Sequence, residues 1–244
     1  MSAAYVIASG KGGTGKTSFT AGVGSALAAL GHRTLCIDAD VGLRNLDIAL
    51  GMSDRVLMTF ADVIAGRCTL DAAAVQHPGI PELYLLTAPM GPSGVSPQEL
   101  RDLVLEAKNW FEFILIDAPA GLGSGFHLAA GGADKAIIVS TTDSSSMRDA
   151  QRAVLELADY PFLSRQLVVN RVEKRLLRKL HRTIDDAMDT AGLPLLGVVP
   201  EDPKVRLATN REEPIITMTR KGAAAAYFNI AHRMCGDRMP LMRL

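Results

Sequence analysis

The sequence predicts an α/β fold: a single doubly wound, mostly parallel sheet of about seven or eight strands with helices on both faces. Three observations carry this. Short apolar runs rich in β-branched residues recur along the chain, stretches of helical period separate most of them, and 244 residues with 48% apolar content suffice for one large core. Residues 1–236 are read as one domain and 237–244 as a short C-terminal tail.

The runs lie at residues 5–8, 34–37, 83–86, 113–116, 136–139, 167–169 and 195–199. Gly31 follows the first helical stretch and marks its end, because glycine adopts the left-handed conformation that stops a helix. Between the third and fourth runs, residues 90–97 hold Gly91, Pro92, Gly94 and Pro97 and read as a loop. The next helix starts at Ser96-Pro97-Gln98-Glu99, with a serine N-cap, a proline at the first helical position and a glutamate three residues on. Small-residue clusters at 129–133 and 223–226 read as close packing of helices.

Lys plus Arg (26) balances Asp plus Glu (26), so contact with nucleic acid or lipid needs a local patch. Cys36, Cys68 and Cys235 show no metal or redox spacing, which fits a reducing cytoplasm. His32, His77, His127, His181 and His232 lack ligand spacing and read as structural or surface residues. The start of the chain has no basic leader, and no apolar stretch reaches the ~18 residues of a membrane span, so neither secretion nor spanning is expected.

Gly10-Lys11-Gly12-Gly13-Thr14-Gly15-Lys16-Thr17 satisfies G-x-x-x-x-G-K-[ST] between a predicted strand and a predicted helix, the signature of P-loop nucleotide triphosphatases. Its glycines let successive N–H groups face phosphate oxygens at a helix N-terminus. Lys16 is then expected to bridge the β and γ phosphates, and the Thr17 hydroxyl to reach Mg²⁺. A glycine-rich turn that merely packs tightly does not need this Lys-Thr pair.

Two further segments suit the same chemistry. Asp38-Ala39-Asp40-Val41-Gly42-Leu43-Arg44-Asn45-Leu46-Asp47 places two carboxylates at the carboxyl end of a strand, where open α/β sheets bind ligands. The same carboxylates could instead cap a following turn or helix. The run 113–116 closes on Asp117-Ala118-Pro119-Ala120-Gly121, the Walker B arrangement, with Asp117 holding Mg²⁺ through water.

Together these segments resemble the MinD and ParA family over residues 5–240. Lys11 with Lys16 is similar to the family's deviant loop K-G-G-x-G-K-[ST], 38–47 to its D-x-D-x-G-L-R-N-L-D switch, and 117–121 to its second switch. Ser144-Ser145-Ser146-Met147-Arg148-Asp149, Pro200-Glu201-Asp202 and Ala208-Thr209-Asn210 resemble its S-S-V-R-D, P-E-D and A-S-N segments. The resemblance implies an ATPase in which Lys11 reaches a partner's nucleotide, Asp40 orients the attacking water, Asp38 lies in the outer sphere of Mg²⁺, and Asn45 couples nucleotide state to the interface. It implies that Gly12, Gly13, Thr14, Gly15, Lys16, Thr17 and Ser18 contact ATP, with Pro200 and Asp202 beside the nucleotide. Asn170 matches the asparagine that reads adenine, though a turn-forming asparagine at a strand end fits the local sequence almost as well.

The implied protein is an ATP-dependent homodimer with a MinC-type inhibitor and a MinE-type or topological activator. Alternatives are a ParA-like DNA segregation ATPase and a flagellar-number-type positioning ATPase. The family's basic amphipathic C-terminal helix has weak counterparts in Arg238-Met239-Pro240-Leu241-Met242-Arg243-Leu244, too short and proline-interrupted for a stable lipid-binding helix. The expected location is therefore cytoplasmic, with peripheral contact at the inner face of the membrane left open. Six Lys or Arg occupy residues 171–182; if helical, Arg171, Arg175, Arg178 and Arg182 share a face that suits DNA or anionic lipid, although a solvated charged face is the default. An iron–sulfur carrier would need cysteines near the second switch, and none lies between Cys68 and Cys235.

Overall fold

A computed structural model describes residues 2–91, 94–179 and 183–242. The strands are β1 (Ala3–Ala8), β2 (Thr34–Asp38), β3 (Val75–Gln76), β4 (Leu83–Leu86), β5 (Phe113–Asp117), β6 (Lys135–Ser140), β7 (Ser164–Val172) and β8 (Leu195–Pro200). The helices are α1 (Lys16–Ala29), α2 (Leu46–Leu50), α3 (Phe60–Ile64), α4 (Leu70–Ala73), α5 (Pro97–Ala107), α6 (Ser124–Gly131), α7 (Ser144–Glu156), α8 (Lys174–Lys179), α9 (Ile184–Ala191), α10 (Pro203–Asn210), α11 (Ile215–Met218) and α12 (Ala223–Met234).

All eight strands form one sheet in the order β3-β4-β2-β5-β1-β6-β7-β8. The seven predicted runs are its parallel strands; the eighth, β3, is a two-residue antiparallel edge. Side chains alternate between two cores, as strand geometry requires. Ala4, Val6 and Ala8 of β1 join Ile114 and Ile116 of β5 on one face with α5, α6 and α7. Tyr5, Ile7, Phe113 and Leu115 join α1 and α12 on the other. The small-residue clusters let these layers approach closely: Ala223, Ala224 and Ala226 of α12 are buried, as are Ala129 and Ala130 of α6.

Helix punctuation follows the sequence. Ser96 accepts from the Glu99 amide while Glu99 accepts from the Ser96 amide, a reciprocal cap with Pro97 in the first turn. Gly31, two residues past α1, takes φ +93°. In the 90–97 loop, Pro92 and Ser93 lie outside the described residues.

The basic stretch requires a correction. It is not one helix: Arg171 belongs to β7, where Val172 still pairs with Pro200, and only Lys174–Lys179 is helical. The β-branched run carries the strand on past residue 169, so Arg171 leaves the stripe, while His181 and Arg182 lie outside the described residues. After α12 the chain to residue 242 is non-helical, and the Arg233 guanidinium donates to Met239 O and Leu196 O, tying the tail to β8. Arg243 and Leu244 are outside the described residues. Among the described residues no helix is long and apolar enough to cross a membrane.

Candidate active site

The first strand of the chain lies between β5 and β6, so the loop after β1 opens at the carboxyl edge in the middle of the sheet. Gly13 (φ +80°) and Gly15 (φ +86°) take left-handed conformations that side chains with a Cβ rarely adopt, and Gly15 immediately precedes α1. The first turn of α1 carries no acidic residue, so its positive end is left to an external anion. The Thr14 hydroxyl is buried without a hydrogen-bond partner among the described residues, as expected of a group that a phosphate would satisfy.

Lys16 is buried, and its Nζ donates to Ser9 Oγ at 2.9 Å. Burial lowers its pKa, while Asp117 and Asp40 pull the other way. Thr17 Oγ1 donates to Asp117 Oδ2 at 2.7 Å, and Thr20 Oγ1 to Asp117 Oδ1 at 3.0 Å. Asp117 pairs in register with Asp38 of β2, so two carboxylates share neighbouring strand ends. Burial, reinforced by Asp38, pushes Asp117 up to about 7, against the opposing Thr17, Lys16 and Thr20. A compact set of hard oxygen donors from Thr17 and Asp117, beside a lysine, fits Mg²⁺ on a phosphate chain.

Asp38 behaves as the capping alternative describes. Its Oδ1 accepts from the Asp40 amide, and its Oδ2 from the amides of Asn45 and Leu46 at 3.1 and 3.0 Å, which folds the first switch around one carboxylate. Burial raises its pKa, and those amides offset part of the rise. Asp40 is half-buried at the mouth of the site, its pKa raised by burial against the opposing Lys16.

Lys11 diverges from Lys16. Its Nζ donates to Asp143 Oδ1 at 3.0 Å and Ser145 Oγ at 2.8 Å, at the start of α7. Asp143 also caps α7 through the Ser146 amide. Although partial burial works against it, hydrogen bonds from Thr141, Ser145, Ser146 and Lys11 hold the Asp143 carboxyl well below the usual range.

A cavity of about 120 Å³ opens beside the loop, lined by Gly15, Ser18, Asn170, Pro200, Asp202 and Tyr227 among others. Ser18, Asn170, Pro200 and Asp202 are thus gathered in one cavity next to the phosphate loop. Asn170 Nδ2 donates to Thr14 O at 2.8 Å. The Asp202 carboxylate caps α10 through the Lys204 amide and also accepts from the Ala223 amide. Gly12 faces Ala120 of the second switch.

Sequence reasoning missed Ser9, Thr20, Asp143 and the contacts of Ser145 and Arg171. Thr20 falls one helical turn beyond Thr17, so its position on the same face was available. An aspartate just before Ser144-Ser145-Ser146 was a readable N-cap. Ser9 carries no local signal.

A glycine cradle on a helix end, with paired carboxylates on adjacent strands, is built to hold a magnesium nucleoside triphosphate, and the protein is a P-loop ATPase. The CobQ/CobB/MinD/ParA nucleotide binding domain pattern matches residues 5–215, and the chain belongs to that family. It is 39% identical over 249 residues to the septum site-determining protein MinD of Bacillus subtilis, covering 100% of this chain and 93% of that one. A chain of the MinC:MinD cell division protein complex of Aquifex aeolicus superposes with a TM-score of 0.92 at 37% identity, with 99% of each covered. MinD of Pyrococcus horikoshii, complexed with Mg-ADP, superposes with a TM-score of 0.83 at 31% identity, with 96% of each covered. The chain is accordingly a MinD-like ATPase with the family's nucleotide-binding domain.

Proposed function

We propose that this protein is an ATP-switched homodimer that helps position the division site: two copies join across their phosphate-loop faces with ATP bound and separate after hydrolysis. The observation that carries this reading is the contrast between the two loop lysines. Lys16 is buried beside Ser9 and Asp117, whereas Lys11 lies outside its own cradle on Asp143 and Ser145. A cation held away from its own site can complete a partner's, stabilising transferred charge as an arginine finger does.

In each site Lys16 would grip the β and γ phosphates, Thr17 and Asp117 would hold Mg²⁺ with Asp38 supporting them from behind, and Asp40 would orient the attacking water. When bound, Mg²⁺ neutralises charge on the phosphoryl oxygens. The amides of residues 12–17 and Ser18 hold the phosphates. Asn170 reads the adenine edge, its amide oxygen accepting from the exocyclic amine while Nδ2 stays on Thr14. The Asp202 side chain serves two helix ends, so the 200–202 turn frames the base through its backbone. Asn45 reports nucleotide state from the amide it gives to Asp38.

The named Aquifex complex supports a MinC-type inhibitor as one partner, and a MinE-type or topological activator completes the cycle. The protein acts in the cytoplasm, with any membrane contact peripheral. A DNA-binding role is disfavoured, because Arg171 is drawn out of the basic stripe into the nucleotide site.

Size-exclusion chromatography with Mg²⁺ tests the switch. Asp40→Ala is expected to elute as a dimer with ATP and a monomer with ADP, while Lys16→Ala stays monomeric because it binds neither; a monomeric Asp40→Ala in both nucleotides would overturn the proposal.

A further inference from the structure

Arg171 is one of two strained residues among the site segments, the other being Arg44 of the first switch. Its φ of +55° lies in the left-handed region, which a non-glycine residue occupies rarely, and strain of this kind concentrates where surrounding contacts enforce it. The β7–β8 register also breaks between Val169 and Val172, leaving Asn170 and Arg171 in a bulge-like irregularity. Successive residues of a regular strand point to opposite faces. Here both reach the same loop: Asn170 Nδ2 donates to Thr14 O at 2.8 Å and Arg171 Nη1 to Gly13 O at 3.1 Å. The irregularity thus re-aims two neighbouring side chains at two neighbouring carbonyls, a use typical of bulges beside active sites.

A trans peptide is planar, with its C=O and N–H pointing in opposite directions. Fixing the Gly13 carbonyl towards Arg171 therefore turns the Thr14 N–H the other way, and fixing the Thr14 carbonyl towards Asn170 does the same for the Gly15 N–H. The guanidinium is held in turn, its Nε donating to Glu201 Oε2 at 2.8 Å. Gly13 and Gly15 flank Thr14 with left-handed backbones; the Gly15 carbonyl accepts from the Phe19 amide, while the two carbonyls before it depend on Asn170 and Arg171.

We propose that Arg171 is a positioning residue for phosphate binding, locking the Gly13–Thr14 peptide so that its N–H faces the nucleotide's phosphates, with Glu201 fixing the guanidinium. This rests on the nucleotide-binding reading above. It assigns the phosphate loop a support outside the P-loop motif, drawn from the strand that also lines the base cavity.

Isothermal titration with MgATP, Mg-tripolyphosphate and adenosine tests this on wild type, Arg171→Gly, Arg171→Lys and the Glu201→Ala variants. Glycine accepts the backbone angle without strain, which offsets part of the lost Glu201 and Gly13 contacts, so Arg171→Gly is expected to stay folded and to melt within a few degrees of wild type. It should bind ATP and tripolyphosphate about tenfold more weakly, the scale of one lost hydrogen bond, with adenosine affinity unchanged. Arg171→Lys should recover part of the loss, and Glu201→Ala should add little to Arg171→Gly, since both act through one contact. Unchanged tripolyphosphate affinity in Arg171→Gly, or an equal loss for adenosine, overturns the proposal. Absence of MgATP binding by the wild type would instead overturn the nucleotide-binding reading itself.

Discussion

Asp117 closes a fully buried strand and draws hydrogen bonds from Thr17 and Thr20, yet burial and Asp38 still push its carboxyl up to about 7 from an ordinary 3.8. The raised value sets the sign of its effect on stability. Between those two values the folded protein holds a proton that the unfolded chain has released, so this group lowers stability as pH rises through the window, and its cost is complete above it. Asp117→Asn is therefore expected to raise the melting temperature of the nucleotide-free, Mg²⁺-free protein at pH 8, with little difference at pH 4. An equal or lower melting temperature for the variant at pH 8 would show that the carboxylate is not strained. At this scale the sequence singled out Lys16, Thr17 and Asp117, which lie together in the structure, because each has a fixed offset in a motif. It was a poorer guide to Arg171, whose contacts depend on a strand irregularity that no spacing rule encodes, and it left the role of Asp38 open between ligand sphere and helix cap.

Among the elements, α7 deserves the closest test, because one carboxylate both starts the helix and holds Lys11. Removing an N-cap costs about 1 kcal/mol, so Asp143→Ala should melt a few degrees lower. The same change removes the charged one of the two groups that hold Lys11, leaving Ser145, so the variant should dimerise at lower ATP concentration in light-scattering titrations; a dimerisation midpoint unchanged or raised would mean that Asp143 serves the helix alone. The depressed Asp143 keeps its charge well below neutrality, its stabilising contribution being present above the ordinary carboxylate value and lost only as pH falls through the lower folded one. Mild acid is therefore not the release signal. Seven strands were legible because buried parallel strands are short continuous apolar runs. The edge strand β3 was not, since two residues carry no periodicity. The basic stretch misled for a related reason: charge spacing suggested a helix, but pairing with β8 carried the chain through Arg171 as a strand.

For the whole molecule, the order of the strands explains why the motifs meet. Inserting β1 between β5 and β6, with β2 beyond β5, brings residues 9–17, 38–47 and 117–121 to one carboxyl edge although up to a hundred residues separate them. Both cores cover this sheet from opposite faces, so the site rests on the best-buried strands of the protein. Topology of this kind was implied by the alternation of strand and helix and by family resemblance. The division of labour between the loop's two lysines was implied only by the resemblance, and it is the claim on which the dimer switch depends.

The most direct measurement mixes two inactive variants. Lys11→Ala lacks the lysine offered to a partner, Asp40→Ala lacks the residue that orients water, and each alone is expected to show only residual ATP turnover. In a mixed dimer, the Lys11→Ala copy keeps Asp40 and receives Lys11 from the other chain, restoring one complete site. Steady-state ATP hydrolysis of the equimolar mixture should rise well above the sum of the separate variants, whereas a rate equal to that sum would contradict a lysine acting across the interface.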